Sequence, residues 1–197
     1  MKQRLKRWLG LGAPPPLMQV LMVCSGNICR SPTAEAVLRA RLDRAGLGDR
    51  IAVDSAGTHG FHVKEPPDPR AQQHARQRGY DLSPLRARRV VGEDFVRFRR
   101  ILAMDEGHLQ WLQEAAPPDA SARVELLMNH AARFGGQTEV PDPYYGSAAD
   151  FEKVLDLVED ACDGLVPKLA AELQAELARP QRVEPGPREP RNDRPKA

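Results

Sequence analysis

The stretch Cys24-Ser25-Gly26-Asn27-Ile28-Cys29-Arg30-Ser31-Pro32 holds the residue types from which covalent chemistry on an anion can be built. A cysteine with an arginine six residues on is a weak signal by itself, because arginine is abundant in this chain. Its setting strengthens it. An apolar run leads directly into Cys24, and a helical pattern starts just after Arg30. Gly26 and Asn27 tolerate the positive φ angles that a tight cradle asks for. The backbone N–H groups of such a loop converge at the helix N-terminus, which is an anion site by geometry. A thiol placed there meets the helix dipole, those N–H groups and Arg30, each favouring the thiolate. Beside a bound phosphate, that thiolate can attack phosphorus and form a phosphocysteine. Arg30, planar and bidentate, would clamp two equatorial oxygens and stabilise their charge in the transition state. Ser31 could donate a hydrogen bond to the sulfur and make it a better leaving group in a second step. A merely structural Cys24 would leave this setting without a purpose.

Such a loop needs a strand before it and a helix after it, and the flanking pattern supplies both. Met18–Cys24 predicts a buried strand, and Pro32–Ala45 a helix with Ser31 as N-cap and Pro32 in its first position. Further strands are predicted at Ile51–Ser55, Arg100–Met104 and Val124–Met128, and further helices at Pro69–Arg78, capped by Asp68, and at Glu106–Ala115. A long apolar stripe at helical spacing then runs from Phe151 through Val154, Leu155, Val158, Cys162, Leu165 and Leu169 to Leu173, with Gly164 and Pro167 expected to kink or break it. Strands alternating with helices predict an α/β fold of three layers. It has a four-stranded parallel sheet, helices on both faces, and a phosphate-binding loop between the first strand and first helix. In such a sheet a site forms at the carboxyl ends of the strands, where Cys24 falls.

The 197 residues suffice for one domain with some to spare. The formal charge of +2 conceals an uneven distribution. Residues 1–10 carry +4, residues 179–197 carry +3, and residues 11–178 carry −5. Positive charge confined to two short arms argues against a nucleic-acid binder. Residues 1–16 read as a basic, proline-interrupted extension, 17–178 as the catalytic domain, and 179–197 as a disordered Pro/Arg-rich tail. The arms are where a partner or a surface would be touched. A basic start, the apolar run Leu17–Val23 and Cys24 imitate a lipoprotein signal, but Pro14 to Pro16 cut the run short and Val23 is too large for the cleavage site. No segment reaches the length of a membrane span. Three cysteines point to a reducing, cytoplasmic setting and exclude a disulfide scaffold. Cys162 falls on the apolar stripe, as core packing. The five histidines show no ligand spacing coupled to cysteines, so no metal and no cofactor is called for.

The loop resembles the signature of the low-molecular-weight protein tyrosine phosphatases, and the resemblance runs from about Met18 to Leu173. It implies metal-free hydrolysis of phosphotyrosine on a four-stranded parallel sheet. It also implies a distant aspartate followed by proline, and Asp142-Pro143-Tyr144-Tyr145-Gly146 supplies one. By resemblance Asp142 protonates the leaving phenolate and then activates the water that cleaves the phosphocysteine. A phenolate leaving group does need an acid, and Pro143 would stiffen the loop presenting it. The backbone of Ser25 to Cys29 is implied as the phosphate cradle. The segment Asp54-Ser55-Ala56-Gly57-Thr58 implies that Ser55 supports Asn27. Phe61 and Tyr144 fall where relatives line a slot deep enough for a phenyl phosphate, with Tyr145 beside them as a supporting residue and a site of phosphorylation in relatives. Cys29 is implied as the partner of Cys24 in a reversible disulfide. A protein bearing phosphotyrosine is the implied partner, a tyrosine kinase being a familiar context. One departure is visible: Leu85 stands where many relatives have a histidine that supports the site network.

Two rivals share this fold and one does not. A thioredoxin-linked arsenate reductase would draw on two further cysteines after the second helix, and Tyr80–Met104 has none. A protein-arginine phosphatase would have threonine in place of Ile28, and the bulkier isoleucine favours tyrosine. A non-catalytic phosphate-binding adaptor would need no acid, yet Asp142 is present.

Overall fold

The computed structural model describes residues 15–178. The readings of residues 1–14 and of the tail from 179 fall outside them. Four strands form one parallel sheet: β1 (Met18–Cys24), β2 (Ile51–Gly57), β3 (Arg100–Ala103) and β4 (Arg123–Leu126), in the order β2-β1-β3-β4. The helices are α1 (Arg30–Arg44), α2 (Pro69–Gln77), α3 (Asp94–Arg97), α4 (Glu106–Ala115) and α5 (Ala148–Leu177), with a 3-10 turn at Leu127–His130 after β4.

The period of two along β1 divides the core. Val20, Met22 and Cys24 face one side, packed with Val37, Leu38 and Leu42 of α1 and the stripe of α5. Leu21 and Val23 face the other, with Phe95, Phe98, Ile101 and Leu112. Both faces are thus buried, as a parallel sheet demands, and a β1 strand apolar at every position but Gln19 is the result. The same alternation puts the sulfur of Cys24 on the α1 side, at the carboxyl end of the strand.

The helix boundaries correct the sequence reading in places. α1 starts at Arg30, so Ser31 is its second residue and not its cap. Pro32 sits third, where its missing N–H is still one of the unpaired ones at a helix start. β2 continues to Gly57, β4 stops at Leu126 and gives way to the 3-10 turn, and the short α3 was not anticipated. Asp68 caps α2 through the Arg70 N–H, as expected.

The largest departure is α5, which runs unbroken through Gly164 and Pro167. A proline inside a helix costs about 3 kcal/mol. Full burial of one leucine contributes about 1.5–3 kcal/mol, and Leu155, Leu157, Leu165, Leu169 and Leu173 are all buried. Burial wins, helped by Pro167 lying on the exposed side. Gly164 is there for proximity: a Cβ on it would lie 2.0 Å from the carbonyl oxygen of His130. Glycine lets the helix rest on the 3-10 turn.

Candidate active site

Between β1 and α1 the chain turns through Ser25–Cys29, and the turn is shaped by few side chains. Asn27 takes a left-handed backbone, φ 56°, and its own side chain fixes it there. Its amide donates to Ser31 Oγ (2.9 Å) and Ser55 Oγ (2.8 Å), and its carbonyl accepts from the Arg88 N–H at 2.9 Å. Gly26 does not need a positive φ. Its hydrogen leaves room for His62, whose Cδ2 would stand 3.0 Å from an added Cβ. Gly57, across from Cys24 in the β1–β2 register, is more constrained. A Cβ there would fall 2.6 Å from the Ser25 carbonyl oxygen and 3.2 Å from the Asn27 nitrogen. With Gly57 bare, Thr58 and His59 N–H donate to the carbonyls of Cys24 and Ser25. The loop carbonyls of Cys24, Ser25, Ile28 and Cys29 are all taken by backbone N–H groups.

Its N–H groups are not. Among the described residues no backbone or side-chain acceptor takes the N–H of any residue from Ser25 to Cys29. Unpaired backbone donors ahead of a helix N-terminus are the arrangement that suits an anion. Cys24, 3% exposed, lies at its rim with Sγ 3.1 Å from Ser31 Oγ.

Arg30 is buried and held at four points. Nη1 donates to Asp105 Oδ2 (2.7 Å) and to the Val140 carbonyl (3.3 Å); Nη2 donates to Asp142 Oδ2 (2.7 Å) and at longer range to Ser25 Oγ (3.4 Å). The segment carrying Asp142 is fastened by the Val140 N–H, which donates to the Met104 carbonyl just past β3. Asp142 itself is half exposed, accepts from the Tyr144 N–H, and faces the cavity. Cys24, Arg30 and Asp142, far apart in the chain, line one cavity of about 290 Å³ together with Ser25, Gly26, Ile28 and Cys29.

Aromatic side chains rim this cavity. Phe61 is 82% exposed and stacks on His59, so it takes no part in the core. Tyr144 packs edge-on against Tyr145 and lies under the Arg70 guanidinium. Tyr145 is almost wholly exposed.

Behind the cradle, Ser55 accepts from Asn27 and donates to Glu35. Burial pushes the Glu35 carboxyl up, while the Ser55 hydrogen bond and the Arg39 guanidinium oppose it. Arg39 pairs with Glu35 at 2.6 Å. Leu85, the residue that departs from the resemblance, packs against the core instead of joining this network. Burial pushes the Cys29 thiol far up, with Asp68 and Cys24 adding to the effect. All three cysteines are free, and Cys162 is buried in the core.

Sequence reasoning missed two residues, Asp105 and His108. Asp105 caps α4 by accepting the His108 N–H, and it anchors Arg30 through its second oxygen. Burial alone would raise its carboxyl, but hydrogen bonds from His108 and Arg30 hold it well below the usual carboxylate range. His108 Nε2 lies 2.8 Å from Ser25 Oγ. The available signal was position: Asp105 directly follows the predicted third strand Arg100–Met104 as Ser25 follows the first, and both lie at carboxyl ends of a parallel sheet.

The profile of the family described as low molecular weight phosphotyrosine protein phosphatase matches residues 19–178. A low molecular weight protein-tyrosine-phosphatase of Streptomyces coelicolor is 43% identical over 162 residues, which cover 81% of this chain and 98% of that one. Among solved structures, a protein tyrosine phosphatase from Entamoeba histolytica superposes with a TM-score of 0.75 at 37% identity, covering 79% of this chain and 98% of that one. A Drosophila arginine phosphatase superposes at 0.72 with 29% identity, covering 77% and 98%.

Proposed function

The chain belongs to the low molecular weight phosphotyrosine protein phosphatases, and we propose that it hydrolyses protein phosphotyrosine through a phosphocysteine on Cys24. The observation that carries this is one cavity lined by Cys24, by the unpaired N–H groups after it, by Arg30 and by Asp142.

A phosphoryl group in the cradle takes its hydrogen bonds from the N–H groups of Ser25 to Cys29 and from Arg30, leaving phosphorus facing the sulfur. Cys24 Sγ attacks, the bond from phosphorus to the phenolic oxygen breaks, and Asp142 gives that oxygen its proton. In the second half Asp142, now a carboxylate, takes a proton from water as the water attacks phosphorus. The sulfur departs with its negative charge, and Ser31 Oγ at 3.1 Å is placed to donate to it. Arg30 meets the charge that develops on the equatorial oxygens in both steps. The exposed ring of Phe61 and that of Tyr144 wall a slot suited to a flat phenyl group, and Ile28 adds bulk at its base.

The same reading makes Ser55 and Asn27 the support of the cradle and residues 17–178 the catalytic domain. The partner is a phosphotyrosine protein, a tyrosine kinase being one such class, and the setting is the cytoplasm. No helix of the described residues is long and apolar enough to cross a membrane. Cys29 serves redox protection: a peroxide oxidises Cys24 to a sulfenic acid, the Cys29 thiol displaces water from it, and the disulfide is returned to thiols by a cellular dithiol.

The test is one panel: p-nitrophenyl phosphate, then phosphotyrosine, phosphoserine and phosphoarginine peptides, with wild type and Cys24→Ser. The reading expects phosphotyrosine to be preferred and Cys24→Ser to be inactive. A Cys24→Ser protein as active as wild type, or a preference for phosphoarginine, overturns it.

A further inference from the structure

Four side chains close a ring behind the loop. Arg30 Nη1 donates to Asp105 Oδ2, Asp105 Oδ1 lies 2.7 Å from His108 Nδ1, His108 Nε2 lies 2.8 Å from Ser25 Oγ, and Arg30 Nη2 reaches Ser25 Oγ at 3.4 Å. Ser25 and Arg30 line the cavity; His108, 6% exposed, stands behind them. His108 Nδ1 is at ion-pair distance from Asp105 but not aligned for a hydrogen bond, so the carboxylate acts on the ring through charge.

The ring's protons can be counted. Ser25 has one to give and can accept two hydrogen bonds, while Arg30 can only donate. A neutral imidazole keeps its proton on Nδ1, facing the Asp105 carboxylate, so Nε2 is bare and takes the Ser25 proton. An imidazolium carries protons on both nitrogens. Its Nε2 then donates to Ser25 Oγ, which also accepts from Arg30, and the Ser25 proton has no acceptor left within the ring. The remaining direction is into the cavity, where a phosphoryl oxygen beside Arg30 can take it.

We propose that His108 is a positioning residue that switches the Ser25 hydroxyl between two partners, holding its proton when neutral and releasing it to a bound phosphoryl oxygen when charged. This rests on the reading of the loop as a phosphate cradle. The charges facing the switch come from several elements. Asp105 at the head of α4 attracts the ring's charge, and Arg30 at the start of α1 repels it. Asp142 lies beyond Arg30, Cys24 is next to Ser25, and Glu139 holds the Glu106 N–H on the same helical turn as His108. Of these, Asp105 is in direct contact with the ring, its Oδ1 2.7 Å from Nδ1.

Sulfate tests the switch, because it stays doubly charged from about pH 5 to about pH 8 and any change with pH belongs to the protein. Its dissociation constant is measured by calorimetry for the full chain, for Ser25→Ala, Ser25→Thr and His108→Gln, and for Ser25→Ala combined with His108→Gln. At the acid end Ser25→Ala is expected to weaken sulfate about tenfold, the effect of one hydrogen bond to a charged group. The factor falls toward one at the alkaline end. Ser25→Thr, which keeps a hydroxyl, restores the wild-type profile. In the His108→Gln background the Ser25→Ala factor no longer changes with pH, since glutamine does not titrate. A factor constant with pH in the wild-type background, or one that still varies in the His108→Gln background, overturns the proposal. Turnover of p-nitrophenyl phosphate by the wild type, lost in Cys24→Ser, judges the phosphatase reading separately. A protein that neither binds sulfate nor turns over overturns both.

Discussion

Nη2 of Arg30 lies 2.7 Å from Oδ2 of Asp142. The group that would hold phosphate and the group that would protonate the leaving phenolate are thus bonded to each other. A phosphoryl group reaching Nη2 competes with Asp142 for it and sets the carboxyl free to carry its proton. Arg30 keeps its place in this exchange because Nη1 stays on Asp105.

Removing the acid has two effects of opposite sign. Asp142→Asn should lower kcat by about 10²–10⁴, the range for a general acid–base. It should also tighten inorganic phosphate, because an amide competes more weakly for Arg30 than a carboxylate does. Steady-state kinetics with phosphate as competitive inhibitor reads both. A fall in kcat with weaker phosphate binding would contradict the competition.

Two cysteines line the same cavity, and they should not react alike. Cys29 stays a thiol at neutral pH because burial, Asp68 and Cys24 all push its proton affinity up. Iodoacetate near neutral pH should therefore carboxymethylate Cys24 and spare Cys29, and phosphate should protect. Peptide mapping checks this; prior labelling of Cys29 would refute it.

Asp105 carries a charge-dependent share of stability. Its carboxyl is depressed in the folded protein, so its contribution is present above the unfolded value of about 3.9 and fades as pH falls through and below it. Asp105→Asn keeps a cap acceptor for the His108 N–H but loses the charge. Thermal melts should place it below wild type at neutral pH, by about 2–4 °C for each kcal/mol lost. The two curves should converge at acid pH. An equal gap at every pH would show that shape, not charge, is at stake.

Gly164→Ala sets two effects against each other. Alanine gains about 1 kcal/mol in helix propensity, but its Cβ would fall 2.0 Å from a backbone oxygen that no side-chain rotation can move. The clash wins, with a net loss of about 2 kcal/mol from overpacking. A melting temperature equal to or above wild type would disprove this.

The cradle was legible in the sequence because its determinants are local: a strand, a run of small and left-handed-tolerant residues, and a helix follow one another within fifteen residues. The sheet was legible for a similar reason, each strand being a short apolar run between punctuating residues. What could not be read was side-chain partnership across the sheet. Asp105 serves Arg30 only because β3 lies next to β1, and nothing near Met104-Asp105-Glu106 announces that neighbour. Local rules predicted a kink or a break at Gly164 and Pro167; the helix runs on without a break because the apolar stripe of α5 overrode them. Ser31 fits a cap by type, but the helix starts two residues earlier than expected, at Arg30, and the Ser31 hydroxyl lies against the sulfur.

Arg30 is held by Asp105, by the Val140 carbonyl and by Asp142, partners 75 to 112 positions further along the chain. During translation Cys24 and Arg30 leave the ribosome early, while the groups that hold Arg30 emerge much later. Helix α5, which covers the face on which Cys24 lies, comes last of all the described elements. Ribosome-bound chains that stop short of Val140 would carry the whole Cys24–Arg30 loop but lack two of the groups that hold Arg30. If Arg30 and Asp142 act as proposed, the nascent chain is silent toward phosphorylated proteins until both have been joined to it.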